Sequence, residues 1–435
     1  MAFAFLNADP QLSRTMPSRG ATSTAAEGSL PQARPAPLLS ALFLAFTALA
    51  LLRVGLGPLL LDPVIDYTRE SGSLAGKLHP ALYGFAAILL VALPCFRIVL
   101  SRWEVRVVRA LLAFNAGIVL ILAVTALAGR GGSTGFLIDS YCGASFAILL
   151  FLFPAEWRPR VAQALLLWLA LSAPVAIAEF VLKTRLLPFD ETETAFRPTG
   201  FASHPLELGL WMAIGPAFTL ATPWSRRMKL GLIGLFLAGL GVSGARTALV
   251  VGLSAVSFLA LGAVGAQASP QRRLAFRLVA VGAGAALAPL CLIALAAVGA
   301  LDRFLPGLDD ANAQTRIDVY GVFSHMSAAQ ILFGIDPAAM LAIARTYFKL
   351  ETIESPVVMF VALFGALGTA VFVTLFAVVV RTMLRGAPGA LVVGTGVFFL
   401  VALSSNGLSA KGSAVFLLFT LLIALHPPRR APSWS

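Results

Sequence analysis

Charge is what this sequence has little of: 12% of its 435 residues are Asp, Glu, Lys or Arg, about half the share of a soluble globular chain. A water-soluble globule is excluded. Cysteine is scarce as well. Cys95, Cys142 and Cys291 lie in or beside apolar stretches, with neither the spacing of a metal site nor the even count of a disulfide framework. No Gly-rich loop runs into Lys-Ser or Lys-Thr, no Gly-x-Ser-x-Gly elbow is present, and His and Cys nowhere cluster. The chemistry expected from this chain therefore uses neither ATP in its usual cradle nor a metal, and no cofactor is expected.

What the sequence has instead is apolar length. Hydrophobic residues make up 59% of it and the mean hydropathy is +0.89, gathered into runs near the roughly 20 residues a helix needs to cross a bilayer. The runs do not alternate as the short strands of an outer-membrane barrel would. The expected fold is an all-α polytopic membrane protein with about twelve transmembrane helices. They fall at 38–60, 80–100, 107–128, 136–154, 161–182, 205–222, 228–243, 246–266, 276–298, 356–380, 388–405 and 410–426. The polar, Pro/Ser/Ala-rich residues 1–37 read as a disordered cytoplasmic tail before an uncleaved first span. Residues 38–426 form the membrane domain and 427–435 a cytoplasmic tail.

The formal charge of +12 would suggest nucleic acid in a soluble protein, but here it reads as topology. With the amino terminus inside, the cytoplasmic segments collect 19 of the 32 basic residues, among them Arg97, Arg102, Arg106, Arg109, Arg158, Arg160, Arg226, Arg227, Lys229, Arg381 and Arg385. Only Asp9, Glu27, Glu104 and Glu156 oppose them. Removing any one span would invert every later loop and destroy the pattern. No nucleic-acid partner is expected.

Three outward links carry more than a connection needs. Lys183 to His204 reads KTRLLPFDETETAFRPTGFASH, and Ser243-Gly244-Ala245 leads straight into Arg246. The third, residues 300–355 between spans nine and ten, is long enough to be a folded, partly helical cap. Arg246 is either an arginine marking the interface or a fork for phosphate or carboxylate. Arg197 and His204 flank RPTGFASHP, where His204 either caps the sixth helix or acts on a substrate. Glu207 follows one turn later. Arg316, with Asp318 and Tyr320 near it, is a second anion clamp or a solvated loop charge. Glu354, just before Pro356, is a helix cap or a general base. Asp139 and Glu179 are weaker carboxylates of the same kind, and Arg53, inside the first span, needs one of them as partner. A reaction on the outer face has no nucleotide supply, which favours a substrate that arrives already activated. A lipid diphosphate sugar fits, its anionic leaving group held by arginines.

RPTGFASHPLELGLW, SGARTALVVGL, NAQTRIDVYGVFSHMSAAQILFGID, ESPVVMFVALFGALG and SSNGLSAKGS resemble, in order and spacing over residues 180–425, the O-antigen ligase and O-antigen polymerase superfamily. The resemblance implies a multi-pass glycosyltransferase of the bacterial inner membrane, with both termini cytoplasmic. Such an enzyme transfers oligosaccharide from an undecaprenyl-pyrophosphate-linked donor to a growing glycan or to lipid A core, on the periplasmic side. By that resemblance Arg197 and Arg246 engage pyrophosphate or glycan, Arg316 is the long-loop arginine with Asp318 and Tyr320 beside it, and His204 is a catalytic candidate; Glu354, read from the residues as a base, is the other. The mechanism implied is inverting and metal-independent. Membrane lipids and a chain-length regulator are the further partners expected. Relatives carry a histidine before the tenth helix where this chain has Glu354-Ser355-Pro356, which favours polymerase-like exopolysaccharide synthesis over lipopolysaccharide ligation. A transporter or flippase of lipid-linked sugars, and a non-catalytic scaffold for polysaccharide assembly, are the competing readings. The absence of a strict internal repeat weighs against the first of these.

Overall fold

Proline and a polar residue before it set where many of these helices begin. His79-Pro80, His204-Pro205 and Ser355-Pro356 each place a side chain that accepts a backbone N–H of the first turn, with proline at a position that has no hydrogen bond to lose. Ser101 and Glu104 form a reciprocal capping box. The computed structural model describes residues 37–68, 74–130, 135–187, 196–263, 318–350, 353 and 355–427. The amino-terminal tail, the expected ninth span, the start of the long link, Arg316 and Glu354 lie outside these.

Every regular element among the described residues is helical. In order they are α1 (Pro37–Gly55), α2 (Pro58–Leu61), α3 (Pro80–Cys95), α4 (Arg102–Leu127), a mixed segment (Leu137–Leu152), α5 (Arg158–Leu182), α6 (Pro205–Ala221), α7 (Arg226–Val242) and α8 (Arg246–Ala263). A 3-10 turn (Val319–His325), α9 (Ala328–Phe333), α10 (Pro337–Phe348), α11 (Pro356–Leu384), α12 (Gly389–Ala402) and α13 (Ala414–Ala424) complete them. Four, namely α1, α4, α5 and α11, are long and apolar enough to cross a membrane. Most of the others are shorter apolar helices.

Besides the expected first span 38–60, which ends at Gly55 with the short α2 after the turn at Leu56–Gly57, two elements differ from the simple helices the sequence suggests. The segment expected as a fourth helix is a π turn, Leu137–Cys142, running into a 3-10 helix, Gly143–Leu152. At about 2.0 Å of rise per residue, ten 3-10 residues reach roughly 20 Å, where an α-helix would reach 15 Å. The second is α11, expected as one helix. It breaks at Gly365, whose φ of 73° and ψ of 167° are open to glycine and strained for other residues. Hydropathy runs on through ALFGALG without a signal, and the break is tertiary in origin. The chain at Leu332–Ile335 enters the gap, and Ile335 N–H donates to Ala362 O at 2.7 Å.

That insertion joins the cap to the bundle. Val319, Val322, Met326, Ile335, Met340 and Ala344 bury themselves against Val358 and Ala362 of the first part of α11, as a small core separate from the main one. The main core centres on α13, all eleven residues of which are buried, and on α6. A helix apolar all round and only about 16 Å long is a central post. Between helices in lipid, association rests on van der Waals contact through small residues. Here Gly209 faces Ala245 and Ala248, and Gly239 faces Ala173, so closely that a Cβ on either glycine would fall within 3 Å of a neighbour.

The connecting links gather at two ends. At one, Glu104 pairs with Arg158 at 2.5 Å, the Trp103 indole donates to Thr382 O at 3.2 Å, and its ring stacks on His426. At the other end lie Arg53, Asp139, Ser203 and the 405–413 segment.

Candidate functional site

Asp139, on the π turn, is fully buried and accepts from three elements at once. Arg53 Nη2 at the end of α1 lies 2.7 Å from Oδ2, the Tyr67 hydroxyl donates to the same oxygen at 2.6 Å, and His79 N–H donates to Oδ1 at 2.7 Å. Arg53 Nη1 donates to the Tyr67 hydroxyl oxygen at 3.2 Å, and Nη2 also reaches Gly412 O at 2.9 Å, just before α13. Of the two carboxylates the sequence leaves open for Arg53, it is therefore Asp139 that pairs. Glu179 is committed elsewhere: Oε1 accepts Leu186 N–H at 2.7 Å, and Oε2 accepts Thr199 N–H at 2.8 Å and Gly200 N–H at 2.7 Å. It holds the 183–204 link in shape.

Lys411 closes the hub from the other side. Its ammonium donates to Tyr67 O at 2.5 Å and Lys77 O at 2.8 Å, 4.8 Å from the Tyr67 ring centre. No carboxylate lies within ion-pairing distance of it among the described residues. Burial lowers the Lys411 pKa from its ordinary value and raises that of the Tyr67 phenol. Burial, then the neighbouring Arg53 charge, pushes His79 down to about 4. Its ring is a single neutral tautomer, Nε2–H toward Leu56 O at 3.0 Å and Nδ1 accepting Ala81 N–H at 3.1 Å.

Beside this hub is a cavity of about 230 Å³. Arg53, Tyr67 and Lys411 form one wall, His204, Ser203 and Glu207 of the α6 entry another, and Ser405, Asn406 and Gly407 the approach to α13. A site enclosing a whole small ligand takes roughly 300–1,000 Å³, so this one has room for only part of such a molecule. The α1–α2 turn closes tightly on it: a Cβ on Gly57 would lie 1.5 Å from Ser203 Oγ. His204 Nδ1 accepts Leu206 N–H at 3.1 Å, and Glu207 Oε2 accepts Ser203 N–H at 3.0 Å. Arg53 Nε–H, buried with its residue only 2% exposed, has no hydrogen-bond partner among the described residues. Such an orphan is rare, and this one is enclosed by the protein, with almost no surface of its own toward the adjoining cavity.

Of the residues the sequence singles out, the cavity collects His204, Glu207 and Arg53. Arg197 is buried on the link that Glu179 organises, with its carbonyl accepting Arg185 Nε–H at 2.8 Å. Arg246 opens α8 two residues after Gly244, whose φ is 65°. Neither lines the cavity. Asp318 and Tyr320 belong to the cap, where Ser355 Oγ donates to the Tyr320 hydroxyl at 3.4 Å, so Tyr320 sits beside the start of α11 and not beside His204. Arg316 and Glu354 lie outside the described residues. Sequence reasoning passed over Lys411 and Asn406, although both stand in SSNGLSAKGS. The expected span 410–426 takes in Lys411, whereas the helix starts at Ala414 and leaves that lysine in the link before it.

No protein-family model matches this chain, and no curated protein matches it significantly.

Proposed function

We propose that the chain is a twelve-span inner-membrane glycosyltransferase, with the Arg53 end of the bundle facing the periplasm and the 300–355 link as a cap there. It would join undecaprenyl-diphosphate-linked oligosaccharide to a glycan acceptor, as a polymerase or a ligase does. The observation that carries this reading is the small cavity walled by Lys411 and Arg53 on one side and by His204 and Glu207 on the other. It pairs cations for a departing diphosphate with a carboxylate for an incoming hydroxyl. The sequence resemblance over residues 180–425 supplies the substrate class.

In this scheme the acceptor oxygen bonds to the anomeric carbon of the donor sugar as the bond from that carbon to the diphosphate oxygen breaks. The electron pair leaves with the diphosphate, whose charge the Lys411 ammonium stabilises. The hydroxyl proton passes to a carboxylate, Glu207 in the cavity or Glu354 at the α11 entry. Arg197, Arg246 and Arg316 would hold the glycan and diphosphate farther out, with Asp318 and Tyr320 of the cap beside them.

The test is purified protein in liposomes given lipid-linked repeat units, with products read as a ladder on a gel. Ladder growth that falls at least tenfold in both Lys411→Gln and Glu207→Gln supports the assignment. One observation favours a different reading: the break of α11 at Gly365 resembles the discontinuous helices of transporters. Movement of labelled lipid-linked sugar across the bilayer without any new glycosidic bond would establish a flippase instead. Neither bond formation nor movement would leave the scaffold.

A further inference from the structure

At the opposite end of the bundle, Arg102, Arg106 and Arg109 stand on one face of α4. Their spacing of four and three residues puts them in a stripe about 10 Å long. All three are exposed and line a groove of about 520 Å³ with Leu100 and Val105. None makes an ion pair with a described residue. The nearest acid is turned away: Glu104 is buried, with one oxygen on Arg158 at 2.5 Å and the other on Ser101 N–H at 2.6 Å. Arg102 is also the first residue of the helix, where the backbone dipole favours anions and disfavours a cation. Three like charges are thus set together on one face, the first of them at the helix start, where a cation is least welcome.

We infer that this groove is a binding site for the headgroup of an anionic phospholipid. The stripe does not stop at the arginines. Continuing at helical spacing, it passes Ala113, Ala116, Leu120 and Val124, all exposed. Two alanines leave a shallow track directly below the guanidiniums, with longer apolar side chains beyond. Phosphodiester at the arginines and an acyl chain along the track fit one molecule, whereas a free phosphate would use only the first part. An orientation signal alone needs charges in the link but no groove and no shared face. Basic residues next to an anionic leaflet each add to lipid affinity, and guanidinium forks suit phosphate.

The experiment uses the full chain in nanodiscs of zwitterionic phosphatidylcholine, with and without phosphatidylglycerol, and reads lipid retained on the protein by native mass spectrometry. The wild type should retain phosphatidylglycerol in preference to phosphatidylcholine. The triple variant Arg102→Gln, Arg106→Gln, Arg109→Gln should lose that preference by about a hundredfold, at roughly fivefold per guanidinium. Lysine at the same three positions keeps the orientation signal, so a correctly inserted triple-lysine protein should regain part of the preference. Equal retention by the wild type and the glutamine variant overturns the site. Binding of inorganic phosphate in phosphatidylcholine discs as strong as that of the lipid overturns the lipid as its occupant.

Discussion

Arg53 Nη2 and Asp139 Oδ2 lie 2.7 Å apart, with the arginine side chain 2% exposed and the aspartate 0%. The pair ties the end of α1 to the π turn across 86 residues, and through Gly412 to the start of α13. Removing two charges from water costs several kcal/mol per ion, which the attraction and the added hydrogen bonds must offset. Its value is in fixing which links meet.

Breaking that pair from one side should therefore be worse than removing it whole. Asp139→Ala leaves a buried guanidinium, a phenol and a backbone N–H without their acceptor, and is expected to cost about 3–5 kcal/mol. The double variant Arg53→Met, Asp139→Leu should recover part of the loss. Thermal unfolding in detergent measures both, and a double variant weaker than Asp139→Ala contradicts the prediction.

His79 should give the protein a pH limit. Its pKa is about 4 in the fold against about 6.5 when unfolded, so between these values the unfolded chain binds the extra proton. Its contribution is then fully present above pH 6.5, declines as pH falls toward 4 and is flat below that. A proton on Nδ1 would also remove the cap on Ala81 N–H. His79→Asn, which can still cap, should flatten the melting temperature between pH 6.5 and 4. An unchanged slope would assign it to other groups.

Gly365 should tolerate no side chain. A Cβ there would lie 2.2 Å from Leu332 O, on a backbone whose φ is 73°. Gly365→Ala is expected to free the cap from α11, so limited proteolysis should cut within 327–350 at least tenfold faster. Cleavage at the wild-type rate would mean that the insertion of Leu332–Ile335 does not hold the cap.

Arg246→Lys should lower product yield severely, because a point charge cannot reproduce a two-pronged contact with phosphate or carboxylate. Lys411→Arg, by contrast, must replace an ammonium that fits between two carbonyls, and should lower the rate while leaving acceptor affinity unchanged. Yield from cells carrying each variant, followed by the ladder assay, separates them. Wild-type yield from Arg246→Lys would leave that residue as an interface marker only.

The sequence discloses the elements well because their signals are local. Pro80, Pro205 and Pro356 mark helix starts, Ser101 and Glu104 their capping box, and Gly244 the reversal between α7 and α8. The site is less legible because its partners are far apart: Lys411 meets Tyr67 across 344 residues, and no pattern of spacing announces such a pair. The same holds for Gly365, whose break is imposed by Leu332–Ile335 pressing in from the cap. His204 was found because Pro205 beside it marks a helix start, whereas nothing in SSNGLSAKGS sets Asn406 apart from its neighbours.

The post at the centre of the bundle, Ala414–Ala424, is buried along its whole length and follows in chain order the described helices that it touches. A ribosome delivers it after them. Those earlier helices must wait with a vacancy among them, loosely associated. They lock only when this segment slides in and Gly412 reaches Arg53.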